Sequence, residues 1–164
     1  MPGTVSLLPV RDVHRPVVAR LWQLYSHDMS EFWGSMPDDE GLYQPGRLPA
    51  YFGDPDRCGY LIVSDSGLAG LALIRGLSGE PRVVGDFFVV RAARRKHVGH
   101  AAALQLLGLH PGRWEIAFQE ENTGAARFWR RVGADAAGEA CREERRPVPG
   151  KPWIPPDTWL LLST

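Results

Sequence analysis

The sequence predicts an α/β (α+β) fold, a mixed central β-sheet with helices on both faces. Two observations carry this. Short segments rich in β-branched and aromatic residues alternate with helical stretches along the chain, and at residues 87–103 a strand runs through a basic turn straight into a helix. The length of 164 residues suits one domain spanning residues 1–164. That is enough chain to bury roughly two-thirds of its unfolded surface without a disulfide staple.

An apolar segment, Val5 to Val10, reads as the first strand. Val18, Leu21, Trp22, Tyr25, Met29 and Phe32 then recur at three- and four-residue steps, the spacing of one helical face. Asp12 is placed to cap that helix, with Pro16 in the first turn, where a missing N–H costs little. Residues 33–57 lose periodicity and gather glycines and prolines, so they form a long loop with one helical turn at Leu48 to Phe52. Loops this long tend to be lids or binding segments. Tyr60 to Val63 and Leu68 to Ile74, joined by Asp65, Ser66 and Gly67, read as a β-hairpin. A turn at Ser78 to Pro81 leads into the strand Val83 to Val90.

Ala101 to Leu109 is apolar on nearly every face, as a helix buried against a sheet is, and His110, Pro111 and Gly112 stop it. Trp114, Ile116 and Phe118 alternate with Glu115, Ala117 and Gln119 as a strand. In the last helix Ala125, Phe128, Trp129 and Val132 form one stripe, Asn122 or Thr123 caps the start and Gly133 marks the end. Two more strands, residues 139–147 and 158–162, flank a proline-rich loop from Pro147 to Pro156. The expected order is strand, two helices, three strands, helix, strand, helix and two strands.

Charge and hydropathy exclude several classes of function. Lys and Arg number 19 against 19 Asp and Glu, so the whole chain has no attraction for nucleic acid or for an anionic membrane. The longest apolar stretches, 69–74 and 159–162, fall far short of the roughly 18 to 20 residues a spanning helix needs. Met1 to His14 lacks the basic region and apolar core of a signal peptide. A cytoplasmic protein, monomer or homodimer, with two free thiols at Cys58 and Cys141 is expected. His97 and His100 lie three apart without a third ligand nearby, so no metal site is expected.

The segment 87–103 holds the chemistry. A helix start offers unpaired N–H groups and the positive end of the macrodipole, and a glycine there admits a phosphate to the backbone. Arg94, Arg95 and Lys96 add positive charge at the same point. By itself the segment fits an anion site and a solvated basic turn equally well. It lacks the Lys and Ser/Thr of a Walker loop and the dinucleotide glycine fingerprint.

Arg94 through Gly99 resembles motif A of the GNAT (GCN5-related) acetyltransferase superfamily, in which a Gln or Arg is followed three residues later by glycine and two further on by Gly or Ala. Asn122, Ala125, Phe128 and Gly133 match the family's downstream asparagine, alanine, phenylalanine and glycine. The resemblance covers essentially the whole chain and implies the GNAT acyl-CoA N-acyltransferase fold with acetyl-CoA as cofactor. It implies that the pyrophosphate sits on backbone N–H groups around Arg94, Arg95, Lys96, His97, Val98, Gly99 and His100. The pantetheine would lie along Phe88, Val89 and Val90, with Asn122 and Phe128 on the other side. It further implies direct attack of an amine on the thioester, with the Val89 backbone N–H as oxyanion donor and Asp86 as general base. Glu120 and Glu121 are second choices. Two departures stand out. His97 occupies the place of the first motif glycine, and Trp129 that of the tyrosine which protonates the departing thiolate; an indole cannot do so.

Between residues 26 and 60 lie seven acids and two bases, Arg47 and Arg57, among many aromatics. In the family this region forms part of the acceptor wall, so Tyr25, Asp28, Glu31, Trp33, Asp38 and Asp39 are candidate acceptor residues for a cationic amine. The bland alternative is a solvated loop whose aromatics close the core. A small-molecule amine, such as a polyamine or an amino sugar or aminoglycoside-type antibiotic, is the favoured acceptor, because the loop with Trp153 is placed to close a cleft. The alternatives are a protein lysine or N-terminus, or a non-catalytic acyl-CoA-binding module.

Overall fold

The computed structural model describes residues 3–164. Seven strands form one sheet: β1 Val5–Pro9, β2 Arg57–Ser64, β3 Gly67–Arg75, β4 Arg82–Val89, β5 Arg113–Phe118, β6 Arg142–Arg146 and β7 Asp157–Ser163. Three α-helices accompany them: α1 Arg15–Trp33, α2 Val98–Leu109 and α3 Thr123–Ala137. The sheet order is β1-β2-β3-β4-β5-β7-β6, and every neighbouring pair is antiparallel except β4 with β5.

Strand alternation divides the core into two layers. On one face α1 packs Val18, Leu21, Trp22 and Tyr25 against Leu61, Leu71, Leu73 and Phe88 of the sheet. On the other, α2 and α3 cover Ile62, Ala72, Ile74, Trp114, Ile116 and Leu160. The nearly all-apolar α2 buries Ala102, Ala103, Leu106 and Leu107 against that face. Each buried leucine contributes about 1.5–3 kcal/mol.

The fold is the expected one, and its details correct the reading of several elements. The second expected helix is a 3-10 turn, Leu48–Phe52, because Pro49 and Gly53 bound too few residues for an α-helical nucleus. Asp12 does not cap α1. It opens a 3-10 turn, Asp12–His14, and pairs with Arg15. The helix expected at Ala101 begins three residues earlier, at Val98, its first turn being supplied by the basic segment. Gly133 does not end α3, which runs on to Ala137 and is capped by Gly138. Its lack of a side chain serves packing, since a Cβ there would meet Cys141 Sγ at 2.7 Å. The strand expected over 139–147 shortens to Arg142–Arg146, because a 3-10 turn occupies Gly138–Ala140.

Two irregularities in β4 shape the centre of the molecule. Leu73 pairs with Asp86 but Ile74 with Val84, so Gly85 is an extra residue, a β-bulge. The inserted residue reverses the alternation, which moves Asp86 onto the α1 face. Val84, just before the bulge, packs on the α2/α3 face. A Cβ on Gly85 would run into Tyr51 Oη, so a larger residue there must displace the Tyr51 ring. Beyond the bulge β4 leaves β5. The two pair only at Arg82–Val84 with Trp114–Ile116, yet both strands continue past that point.

Candidate active site

The parting of β4 from β5 opens a cleft of about 230 Å³ that passes through the sheet. On the α1 side it is lined by Tyr25, Met29, Trp33, Asp86, Gln119 and Asp157. On the α2/α3 side it is lined by Phe87, Asn122, Ala125 and Trp129. The rings of Phe87, Phe128 and Trp129 pack together there, with centroids 4.8–5.6 Å apart. Asn122 spans the two sides: its Oδ1 caps α3 by accepting from Ala125 N at 3.1 Å, and its Nδ2 lies 3.8 Å from Met29 Sδ.

Asp86 sits half-buried at this opening. Burial pushes its pKa up to about 6, although the nearby Tyr25 hydroxyl and the charges of Arg75 and Arg47 pull the other way. The same proximity raises Tyr25 well above the usual phenol value, burial being the larger cause, so Tyr25 stays a donor. No ion pair reaches Asp86 among the described residues. It is a carboxylate ionised at neutral pH yet basic enough to accept a proton.

Glu120, the second-choice base, is placed differently. It faces α3, where Arg130 grips both carboxylate oxygens at 2.6 and 3.1 Å and Thr158 Oγ1 donates at 2.8 Å. Those bonds push its pKa down to about 2, which leaves it too weak a base for an ammonium proton. Glu121 does not line the cleft.

The candidate acceptor acids also part company. Asp28 of α1 is bonded by Arg91, Nη2 at 2.8 Å, and by Arg94 Nη2. Burial works to raise its pKa, but those bonds outweigh it and hold the carboxyl below its ordinary value. Any cationic acceptor therefore competes there with two guanidinium groups. Asp38 caps its own turn, with Oδ1 accepting from Glu40 N and Leu42 N at 2.9 Å. Glu31, Asp38 and Asp39 are exposed and lie outside the cleft, whereas Tyr25 and Trp33 line it. Trp153 is 76 % exposed, and of its loop only Asp157, just beyond the end, reaches the cleft.

The expected cofactor segment, residues 94–100, forms a tight turn into α2. Arg95 and His97 take the left-handed region at φ 60° and 62°, which concentrates N–H groups in a short turn. Among the described residues no backbone carbonyl accepts from the N–H groups of residues 95–100, and the first bond of α2 is Ala101 N to His97 O at 2.9 Å. Val90 N donates to Ala69 O at 2.8 Å, so the peptide groups of Phe88 and Val90 face β3 while those of Phe87 and Val89 turn into the gap. Arg94 Nε holds the Val89 carbonyl at 2.7 Å, and Val89 itself does not line the cleft. Gly99 lies against Val89 and Phe128. His100 turns away, its Nε2 2.7 Å from Asp135 Oδ2 of α3.

Gln119, Asp157 and Met29 escape sequence reasoning as site residues. Strand alternation places Gln119 and Asp157 opposite the core positions Phe118 and Thr158. Only the position of β7 beside β5, however, brings them to a cleft with Asp86.

Comparison with known proteins agrees with this geometry. The model of the acetyltransferase (GNAT) family matches residues 18–134. No curated protein sequence matches the chain. Among solved structures, an acetyltransferase from Thermus thermophilus aligns with TM-score 0.70 and 17% identity over 98% of this chain and 97% of that one. The ribosomal-protein-S18-alanine N-acetyltransferase of Escherichia coli aligns with TM-score 0.63 and 11% identity over 98% and 94%. A Vibrio cholerae spermidine N-acetyltransferase in complex with CoA and spermine aligns with TM-score 0.66 and 12% identity over 96% and 93%.

Proposed function

Because this chain belongs to the GNAT family of acetyltransferases, for which acetyl-CoA is the donor, we propose that it acetylates a primary amine of a small cationic molecule, a polyamine or an amino sugar of the aminoglycoside type. The observation that carries this reading is Asp86: a half-buried carboxylate with no cationic partner among the described residues, at the α1-side mouth of a cleft through the sheet. The fold shared with the spermine-bound Vibrio cholerae enzyme adds support for a polycationic acceptor.

An alkylamine with a pKa near 10 arrives protonated and cannot attack until the proton leaves. In this reading Asp86 takes that proton, Tyr25 fixes the carboxylate by donating to it, and the acceptor enters from the α1 face. Acetyl-CoA supplies an activated thioester carbonyl whose thiol leaves without strong acid assistance. The N–H groups of residues 95–100 hold its pyrophosphate, and Val89 N–H donates to the carbonyl oxygen. Trp129 packs as a wall of the cleft and takes no part in proton transfer.

Release of free thiol from acetyl-CoA, measured with a panel of polyamines, amino sugars and a lysine peptide, tests the reading. Asp86→Asn is expected to lower kcat by about 100-fold or more, the range for a positioned base, with the KM for acetyl-CoA within about twofold. Unchanged turnover in that variant removes Asp86 as base. CoA binding with no turnover on any amine makes the chain a non-catalytic acyl-CoA binder.

A further inference from the structure

We propose that Asp157 is a second cation-binding residue of the acceptor site, so that the preferred acceptor carries a second positive charge several bonds from the amine that reacts. The proposal rests on the reading of the cleft as the site of a cationic amine and specifies what that amine must look like.

Asp157 is the first residue of β7. Thr158 and Leu160 turn toward the α2/α3 layer, Thr158 bonding Glu120 and Leu160 entering the core, so alternation turns Asp157 to the α1 face, where Asp86 lies. In the sheet, β5 separates β4 from β7. The two carboxylates therefore flank the opening, with Cα atoms roughly 10 Å apart from two strand spacings alone, and more where β4 diverges. Gln119, at the end of β5, stands between them.

The neighbouring acids, Glu121 apart, are already satisfied. Arg130 holds Glu120 and Glu143, and Arg146 holds Glu115 and Glu144. Asp157 has no ion pair and accepts no side-chain hydrogen bond among the described residues, although it is half-buried. Arg145, whose charge acts on Asp157, directs Nη2 to the Pro156 carbonyl at 3.0 Å, and Arg146, opposite Asp157 in the strand register, is held by Glu115 and Glu144. Burial and the nearby Glu121 both oppose its charge. A second, independent feature points to the same ligand: Gln119 Oε1, a pure acceptor, is shielded from solvent and has no hydrogen-bond partner. Among the described residues no Arg, Lys or His lines the cleft. Two carboxylates and an orphan amide oxygen on one mouth make a site for ammonium groups. An α,ω-diamine, or a sugar bearing two amines, offers one nitrogen to Asp86 and another to Asp157, with N–H donors for Gln119.

Thiol release is compared for straight-chain diamines of four to eight carbons and for monoamines and amino alcohols of the same length, in the unsubstituted protein, Asp157→Asn and Asp157→Glu. Calorimetric titration of the same amines in the presence of CoA reads binding without turnover. The unsubstituted protein is expected to favour the diamine about tenfold in kcat/KM at one chain length. Asp157→Asn abolishes that preference by raising the diamine KM and leaves the monoamine alone, while Asp157→Glu keeps most of the preference. Equal use of diamine and monoamine by the unsubstituted protein, or an equal loss on both in Asp157→Asn, overturns the anchor and leaves amine acetylation standing. Diamine binding that depends on Asp157 without any acetylation does the reverse. Absence of both binding and turnover overturns both.

Discussion

Asp86 and Tyr25 show how two residues set each other's chemistry. A carboxylate raised to about 6 is protonated, and useless as a base, below that pH, so turnover is expected to climb through an acidic limb centred near pH 6. The Tyr25 hydroxyl stabilises the charged form of Asp86. Removing it in Tyr25→Phe leaves burial less opposed, so the limb moves to higher pH; a pH profile of kcat/KM reads the shift, and a limb that stays in place denies the bond a role. His97 offers a backbone counterpart. A side chain at φ 62° costs about 1–2 kcal/mol that glycine avoids, and a β-branched residue fits there worst of all. His97→Gly is expected to be about 2 kcal/mol more stable than His97→Val in urea unfolding, and equal stabilities contradict a strained turn. This strain was legible in the sequence, since a histidine stands in the place of a motif glycine. The approach of Tyr25 to Asp86 was not, because the partners lie 61 positions apart in the chain.

Among the elements, the bulged strand β4 decides most. Without the extra residue Gly85, Asp86 would face the α2/α3 layer, on the wrong side of the sheet from α1 and Tyr25. Gly85→Ala forces a Cβ against Tyr51 Oη and is expected to cost about 1–3 kcal/mol, the usual penalty for overpacking. It is also expected to lower kcat more than it raises the KM for acetyl-CoA, because the proposed base Asp86 is re-aimed while the N–H groups of residues 95–100 stay put. Urea unfolding with initial rates measures both effects, and loss of stability with normal kcat dissociates the bulge from catalysis. Alternation of apolar residues made the strand itself visible from sequence, whereas a bulge leaves no periodic signal. The acidic segment from Asp28 at the end of α1 to Asp56 shows the converse. Its acids form a conspicuous charge run, yet Asp28 is taken by Arg91 and Arg94 and Asp38 by its own turn.

At the scale of the whole molecule, the two mouths of the cleft separate the expected donor side from the acceptor side. Among the described residues no Cys, Ser or Thr lines the cleft to hold an acyl group, and both cysteines, half-buried and free, lie elsewhere. Transfer in one step through a ternary complex is therefore expected, giving intersecting double-reciprocal lines when acetyl-CoA and amine are varied; parallel lines would indicate a covalent acyl-enzyme. The zero net charge takes on a spatial meaning here. Basic residues at 91–96 meet the acid of α1 at Asp28, while Asp86 and Asp157 remain without ion-pair partners in the cleft. The sequence by itself determined the mixed sheet, the order of its elements, the basic turn before α2 and the family, because periodicity, caps and short motifs are local and act within a few residues. Only the tertiary structure decided which carboxylates serve the cleft. Placing β7 between β5 and β6 and splaying β4 from β5 are long-range pairings, and they bring Asp157 beside Asp86 across 71 positions of chain while arginines neutralise nearer acids.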